Sequence, residues 1–165
     1  MRHVVSILME NETGALSRVS GLFSARGYNI ESLTVAPTED KSLSRMTIVT
    51  GDISNEIAEQ IMKQLNKLVD VVKLMDLADY PHIEREVMFV KVAAENMESC
   101  AAVKRMADIF RARVIDVSNQ MYTIEVTGSP EKINGFLDTM KEHKIIEVVR
   151  SGAMGIPRGT ASLSI

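Results

Sequence analysis

Cysteine, tryptophan and aromatic side chains are scarce in this chain of 165 residues. Cys100 is the single cysteine, Trp is absent, and aromatic residues make up 4%. One cysteine can form neither an internal disulfide nor a cysteine-based zinc site, and nothing points to an oxidising compartment. With so few rings the core must be aliphatic, and stacking platforms for bases or sugars are rare. A basic excess is missing too: the net charge is −3, the part up to Tyr80 being acidic and the remainder neutral. Nucleic-acid binders carry the opposite imbalance. The densest basic stretch, Lys104-Arg105 with Arg111 and Arg113, reads as a solvated helix face and its end. No apolar run approaches the roughly 20 residues that cross a bilayer, and the run after His3 is too short for a signal peptide. The expectation is a cytoplasmic chain with neither nucleic-acid nor membrane partner.

Catalytic constellations are also missing. His3, His82 and His143 stand apart, without Cys or Asp at metal or triad spacing. No nucleophile elbow, Walker loop or dinucleotide glycine fingerprint occurs. No metal site is expected, and no residue is assigned to catalysis.

What is present is a periodic pattern that occurs twice. Val4–Met9 reads as a buried strand. A helix follows over 15–26, with Thr13 as its N-cap and Leu16, Val19, Leu22 and Phe23 on its inner face. Gly21 inside that helix costs about 1 kcal/mol against Ala and implies close backbone packing against the sheet or another subunit. Strands follow at 29–36 and 44–50, then a helix capped by Ser54 with Ile57, Ile61, Leu65 and Leu68 inward, then a strand at 69–74. After a linker the order recurs: a strand at 87–93, a helix at 99–111, a hairpin of strands at 114–117 and 121–127, a helix opened by Ser129-Pro130, and a strand at 145–149. One and the same spacing separates Val49-Thr50-Gly51 from Val126-Thr127-Gly128 and Leu68-Val69-Asp70-Val71-Val72-Lys73 from Ile145-Ile146-Glu147-Val148-Val149-Arg150. The expected fold is α+β, two tandem ferredoxin-like βαββαβ modules, each with helices on one sheet face. The expected boundaries are 1–78, a linker at 79–85, and 86–165. Each module should leave one sheet face open, to be met by the other module or by a second subunit.

RNA recognition on this topology needs aromatics on the two central strands, and Val4–Met9 and Ser44–Thr50 have none. Phe89 and Tyr122 on the equivalent strands of the second module read as packing residues. The first strand-to-helix loop, Asn11-Glu12-Thr13-Gly14, is more informative. Amides at a helix N-terminus suit an anion, Gly14 lets a ligand approach the backbone, and Asn11 offers an acceptor for an ammonium. The ligand expected there is a small zwitterion with an apolar side chain; the alternative reading of the same residues is an Asx-turn followed by a glycine helix start.

Residues 10–37, ENETGALSRVSGLFSARGYNIESLTVAP, resemble the ACT-domain signature of acetohydroxyacid synthase (acetolactate synthase) small regulatory subunits. The resemblance runs on through LSRMTIVT, QLNKLVDVVKL, EREVMFVKV and EVVRSGAMGIPRG. It implies an N-terminal ACT domain and a C-terminal small-subunit domain, without an active site. It implies a large catalytic subunit as partner, to which thiamine diphosphate, Mg and FAD belong, and feedback inhibition by valine or another branched-chain amino acid. The effector is implied to sit between the ACT domains of a homodimer, at Asn11, Gly14, Ala15 and Leu16 of one chain and Asn29 and Ile30 of the other. A free-standing ACT sensor acting on another enzyme or on transcription is the alternative, and the second module with its RSG…PRG tail speaks against it.

Overall fold

Alternating apolar residues in the first 80 positions build a four-stranded antiparallel sheet with two helices on one face. In the computed structural model, which describes residues 1–164, β1 (Val4–Glu10), α1 (Ala15–Ala25), β2 (Ile30–Pro37), β3 (Leu43–Thr50), α2 (Asn55–Leu65) and β4 (Val71–Asp76) follow one another, and a short 3₁₀ turn covers Leu77–Asp79. The strand order is β2-β3-β1-β4, so β1 and β3 are central and β2 is an edge. Val5, Ile7 and Met9 of β1 and Met46 and Ile48 of β3 point to the helices, where they meet Val19 and Phe23 of α1 and Ile61 and Leu65 of α2. α2 ends at Leu65, and Leu68 closes the turn into β4, its carbonyl accepting from the Val71 amide. β4 therefore starts two residues later than the sequence pattern placed it. Gly21 is exposed and a Cβ there would meet nothing within 4 Å, so the close packing expected at that position is absent from this chain.

The second unit repeats the plan with β5 (His82–Ala93), α3 (Met97–Ile109), β6 (Arg113–Ser118), β7 (Met121–Gly128), α4 (Pro130–Met140) and β8 (Ile145–Arg150), in the order β6-β7-β5-β8. Met88, Val90 and Val92 pack with Val103, Ile124, Ile133 and Phe136. Phe110 meets Phe136 edge-on, ring centroids 5.3 Å apart. The β6–β7 hairpin turns on Asn119 and Gln120, both at positive φ, as a two-residue loop with right-handed strand twist requires. Arg150 clamps the buried Glu86 with two hydrogen bonds, 2.7 and 2.8 Å, tying β8 to β5. Phe89 and Val149 face each other on the helix-free side and are 41% and 52% exposed. Tyr122 packs against the second core.

The two compact units differ from the sequence-based division. The first comprises Met1–Ile83 together with the chain from Ala153 onward; the second is Glu84–Gly152. The expected linker is partly strand, since β5 begins at His82. The tail, expected in the second module, carries a ninth strand, β9 (Met154–Pro157), that pairs with β5, and Arg158 donates its amide to the Pro81 carbonyl at 2.8 Å.

This explains why β1 is buried on both sides. Its helix-free face carries Val4, Ser6 and Leu8 beside Leu43, Arg45, Thr47 and Val49 of β3, and the chain's own tail covers it. Ala153 joins Val4, Val49 and Leu77 in a separate small core, and the Gly155 amide reaches Thr47 Oγ1 at 3.4 Å. Leu163 is buried, and its carbonyl accepts from Arg45 Nη1 at 3.3 Å. The open face predicted for the first sheet is thus covered from within the chain.

Candidate functional site

The β1–α1 loop is fixed at both ends by backbone pairing. Glu10 donates its amide to the Asp70 carbonyl at 2.8 Å and Asn11 to the Ser42 carbonyl at 2.7 Å. The Asn11 side chain donates through Nδ2 to the Lys41 carbonyl at 3.0 Å. That bond orients the side-chain amide and leaves Oδ1 as an acceptor beside the loop.

The helix starts at Gly14, not at the Thr13 cap that the sequence pattern favours. Gly14 lies at φ 86°, a left-handed conformation, and no side chain caps α1. A β-substituent at that φ is strained, which explains the glycine. Ala15 donates to the Glu12 carbonyl and Arg18 to the Gly14 carbonyl, so the first-turn amides between them, of Leu16 and Ser17, point out of an uncapped helix end. The contrast with the other helices is local and chemical: Ser54, Asn96 and Ser129 side chains each accept an amide of α2, α3 and α4. Ala15 is buried against the core, whereas Leu16, expected on the inner face, is 43% exposed.

Arg18 and Asp70 were not singled out from the sequence. Arg18 holds the buried Asp70 carboxylate through Nε at 2.5 Å and Nη2 at 2.8 Å, and its Nη1 lies 3.1 Å from where a Cβ on Gly14 would be. The hydrogen bonds from Arg18 hold the Asp70 carboxyl below the usual carboxylate range, against the opposing effect of burial. Arg18 could have been placed from spacing alone, being one helical turn beyond Gly14. Asp70 could not, because its approach depends on β1–β4 pairing.

Asn29 and Ile30 are elsewhere. Ile30 opens β2 opposite Thr50 of β3, whereas Glu10, which leads into the loop, pairs with Leu43 at the other end of β3. At about 3.4 Å per residue the two ends are roughly 24 Å apart. Within one chain Asn11, Gly14, Ala15 and Leu16 form one constellation; Asn29 and Ile30 do not join it. Among the described residues no cluster of three or more His, Cys, Asp or Glu could hold a metal, and no helix is long and apolar enough to cross a membrane.

Comparison with known proteins matches two successive segments of the chain. Residues 5–73 match the family model for an AHAS small subunit-like ACT domain, and residues 85–159 that for the small subunit of acetolactate synthase. The chain is 53% identical over 161 residues to the acetolactate synthase isozyme 3 small subunit of Salmonella typhimurium, covering 96% of this chain and 97% of that one. It is 50% identical over 165 residues to the acetolactate synthase small subunit of Haemophilus influenzae, covering 99% of both. A solved structure, the acetolactate synthase small subunit from Thermotoga maritima, superposes with a TM-score of 0.86 at 34% identity, covering 98% of this chain and 99% of that one. The chain belongs to the family of acetolactate synthase small subunits, and its N-terminal unit contains an ACT domain of the kind found in them.

Proposed function

We propose that this chain is the regulatory subunit of acetolactate synthase, that it activates the thiamine-diphosphate-dependent large subunit, and that it confers feedback inhibition by valine bound between the ACT domains of a homodimer. The observation that carries the effector site is the uncapped start of α1 beside the free Oδ1 of Asn11. The Leu16 and Ser17 amides take the effector carboxylate, Asn11 Oδ1 takes its ammonium, and exposed Leu16 meets its isopropyl group. No residue of this chain is asked to perform chemistry.

Sheet register supports the two-chain arrangement. β2 is an edge strand whose backbone can pair with a second copy across a two-fold axis. Antiparallel pairing of two β2 strands puts the partner's β2 start beside Pro37. Pro37 pairs with Ser44, next to Leu43, which pairs with Glu10. The second copy's Asn29 and Ile30 therefore approach the end of the sheet that bears the Asn11 loop, although within one chain they lie far from it.

A ligand that bridges two copies inhibits by favouring one dimer arrangement over another, to the extent that its affinity differs between them. A coupling of about 1–3 kcal/mol corresponds to roughly 5- to 150-fold effects. The test is acetolactate formation by the catalytic subunit of the same organism, alone, with this chain, and with this chain plus valine. Stimulation that valine reverses is expected. Stimulation without a valine effect removes the effector assignment alone; no stimulation removes the regulatory reading and favours a free-standing sensor.

A further inference from the structure

Between the helix-free face of the first sheet and the C-terminal tail lies a cavity of about 820 Å³. Leu8, Leu43 and Leu163 supply apolar walls, and Arg45 supplies the charge. Among the described residues the Arg45 guanidinium is partnered only by neutral groups. Nε donates to Ser6 Oγ at 2.7 Å and Nη1 to the Leu163 carbonyl at 3.3 Å, while Nη2 is shut off from solvent with no acceptor at all. Among the described residues no carboxylate pairs with it. Burial pushes Arg45 down from its ordinary value, and no acidic neighbour opposes this. The next tail carbonyl, of Ser164, is likewise held by a cation, Lys73 Nζ, at 2.8 Å. Of the acids at the mouth, Asp40 is already engaged by the amide and hydroxyl of Ser42, and Glu39 is exposed.

A half-open cleft of this size, with leucine walls and a guanidinium at its floor, has the make-up of a small-molecule site. A guanidinium without a carboxylate selects an oxyanion, and a planar carboxylate bonds two of its nitrogens at once, far better than one long contact to a carbonyl. We propose that Arg45 is the anion-recognising residue of a second small-molecule site, separate from the β1–α1 loop, that takes a small monocarboxylate with an apolar tail beneath the C-terminal segment. The carboxylate takes both Nη1 and Nη2, displacing the Leu163 carbonyl, and the end of the tail lifts. Among the described residues no acidic group is free inside to hold an ammonium, so an amino acid is a poorer ligand than the corresponding plain acid. The site rests on the tail and Arg45 alone and stands whether or not the loop binds valine.

The probe is isobutyrate, with isobutyramide as its neutral counterpart, each titrated into the full chain at constant ionic strength. Binding is followed by calorimetry, and tail release by the rate of tryptic cleavage after Arg158. Isobutyrate is expected to bind saturably and to accelerate that cleavage several-fold, isobutyramide to do neither. R45M should abolish both effects, R45K should weaken them because it loses the two-nitrogen fork, and K104A, on the exposed face of α3 in the second unit, should leave them intact. Equal behaviour of isobutyrate and isobutyramide on the unmodified chain overturns the proposal without reliance on any variant. So does isobutyrate binding that survives R45M. Binding that depends on Arg45 but leaves the cleavage rate unchanged overturns the lifting of the tail.

Discussion

Gly14 is the position where the effector reading is most exposed to refutation, because three substitutions separate shape from charge. Its φ of 86° puts any Cβ in the left-handed region, at a cost of roughly 1–2 kcal/mol. A Cβ would also sit 3.1 Å from Arg18 Nη1, the far end of a flexible side chain that gives way. Gly14→Ala, Gly14→Asn and Gly14→Asp therefore share a modest loss of stability, smallest for Asn and Asp, which tolerate this conformation. Only Asp adds a negative charge where the effector carboxylate is placed. Two such charges about 4 Å apart repel by about 4 kcal/mol at an effective dielectric of 20. Arg18 offsets part of this, since it can turn one nitrogen toward the new carboxylate. A net penalty near 3 kcal/mol corresponds to a loss of valine affinity of roughly 100-fold. The assay is valine inhibition of the reconstituted enzyme beside calorimetric valine binding, with thermal denaturation of each variant as the fold control. Asn should stay within about tenfold of the parent on the same scale. If Asp and Asn weaken valine equally, charge is irrelevant and the anion site is misplaced; if Asp leaves inhibition unchanged, the loop is not the site.

Four further outcomes follow from single contacts. Asn11→Ala removes the proposed ammonium acceptor, a bond to a charged group worth about 2 kcal/mol, so valine binding should fall roughly 30-fold by calorimetry. Asp70 has its pKa lowered by Arg18, so the stability this pair adds is present at neutral pH and is lost as pH falls through the depressed value; urea denaturation across the acid range should show that loss in the parent and not in Asp70→Asn. Gly155→Ala drives a Cβ into Leu77 Cδ1 beneath the tail, and overpacking of this kind should cost about 1–3 kcal/mol in urea denaturation and speed tryptic cleavage after Arg158. Phe136→Ala empties the centre of the second core and should cost about 3–5 kcal/mol, read as a drop in Tm without loss of valine binding.

The order of strands and helices was legible because it depends on local periodicity. Val19 and Phe23 fall on one side of α1, and Ile61 and Leu65 on one side of α2, whatever the tertiary structure does. The tail was not legible. Ala153, Pro157 and Leu163 are too widely spaced to form a periodic segment, and their burial comes from a sheet face built about 110 residues earlier. Arg45 carries no local signal of its partners either, because Ser6 and Leu163 reach it from distant parts of the chain. Thr13 was a sound cap by composition, yet the chain turns at Gly14 instead, which leaves Thr13 exposed. Asn11 and Gly14 were readable as a ligand loop, but the Arg18–Asp70 clamp behind them needed the β1–β4 pairing.

Two modules of one topology have diverged at the same corner, and the divergence has a chemical form. After β1 the chain enters α1 through Gly14 with no side-chain cap. After β5 it enters α3 through a closed box: Asn96 Oδ1 accepts the Ser99 amide at 2.8 Å, and Ser99 Oγ accepts the Asn96 amide at 3.1 Å. The Cys100 amide goes to the Asn96 carbonyl at 2.9 Å. A box of this kind satisfies internally the donors that an anion would otherwise use. The second module therefore has the more stable helix start and the poorer ligand site, while the first gives up a cap worth about 1 kcal/mol and keeps its donors available. The sheets diverge in parallel. The first has its helix-free face occupied by the tail around Leu163, and the second leaves Phe89 and Val149 exposed on its own. The first unit thus keeps free donors at its helix start under a covered sheet face, and the second closes its helix start and leaves Phe89 and Val149 uncovered, so the chemistry of the two corners can change independently.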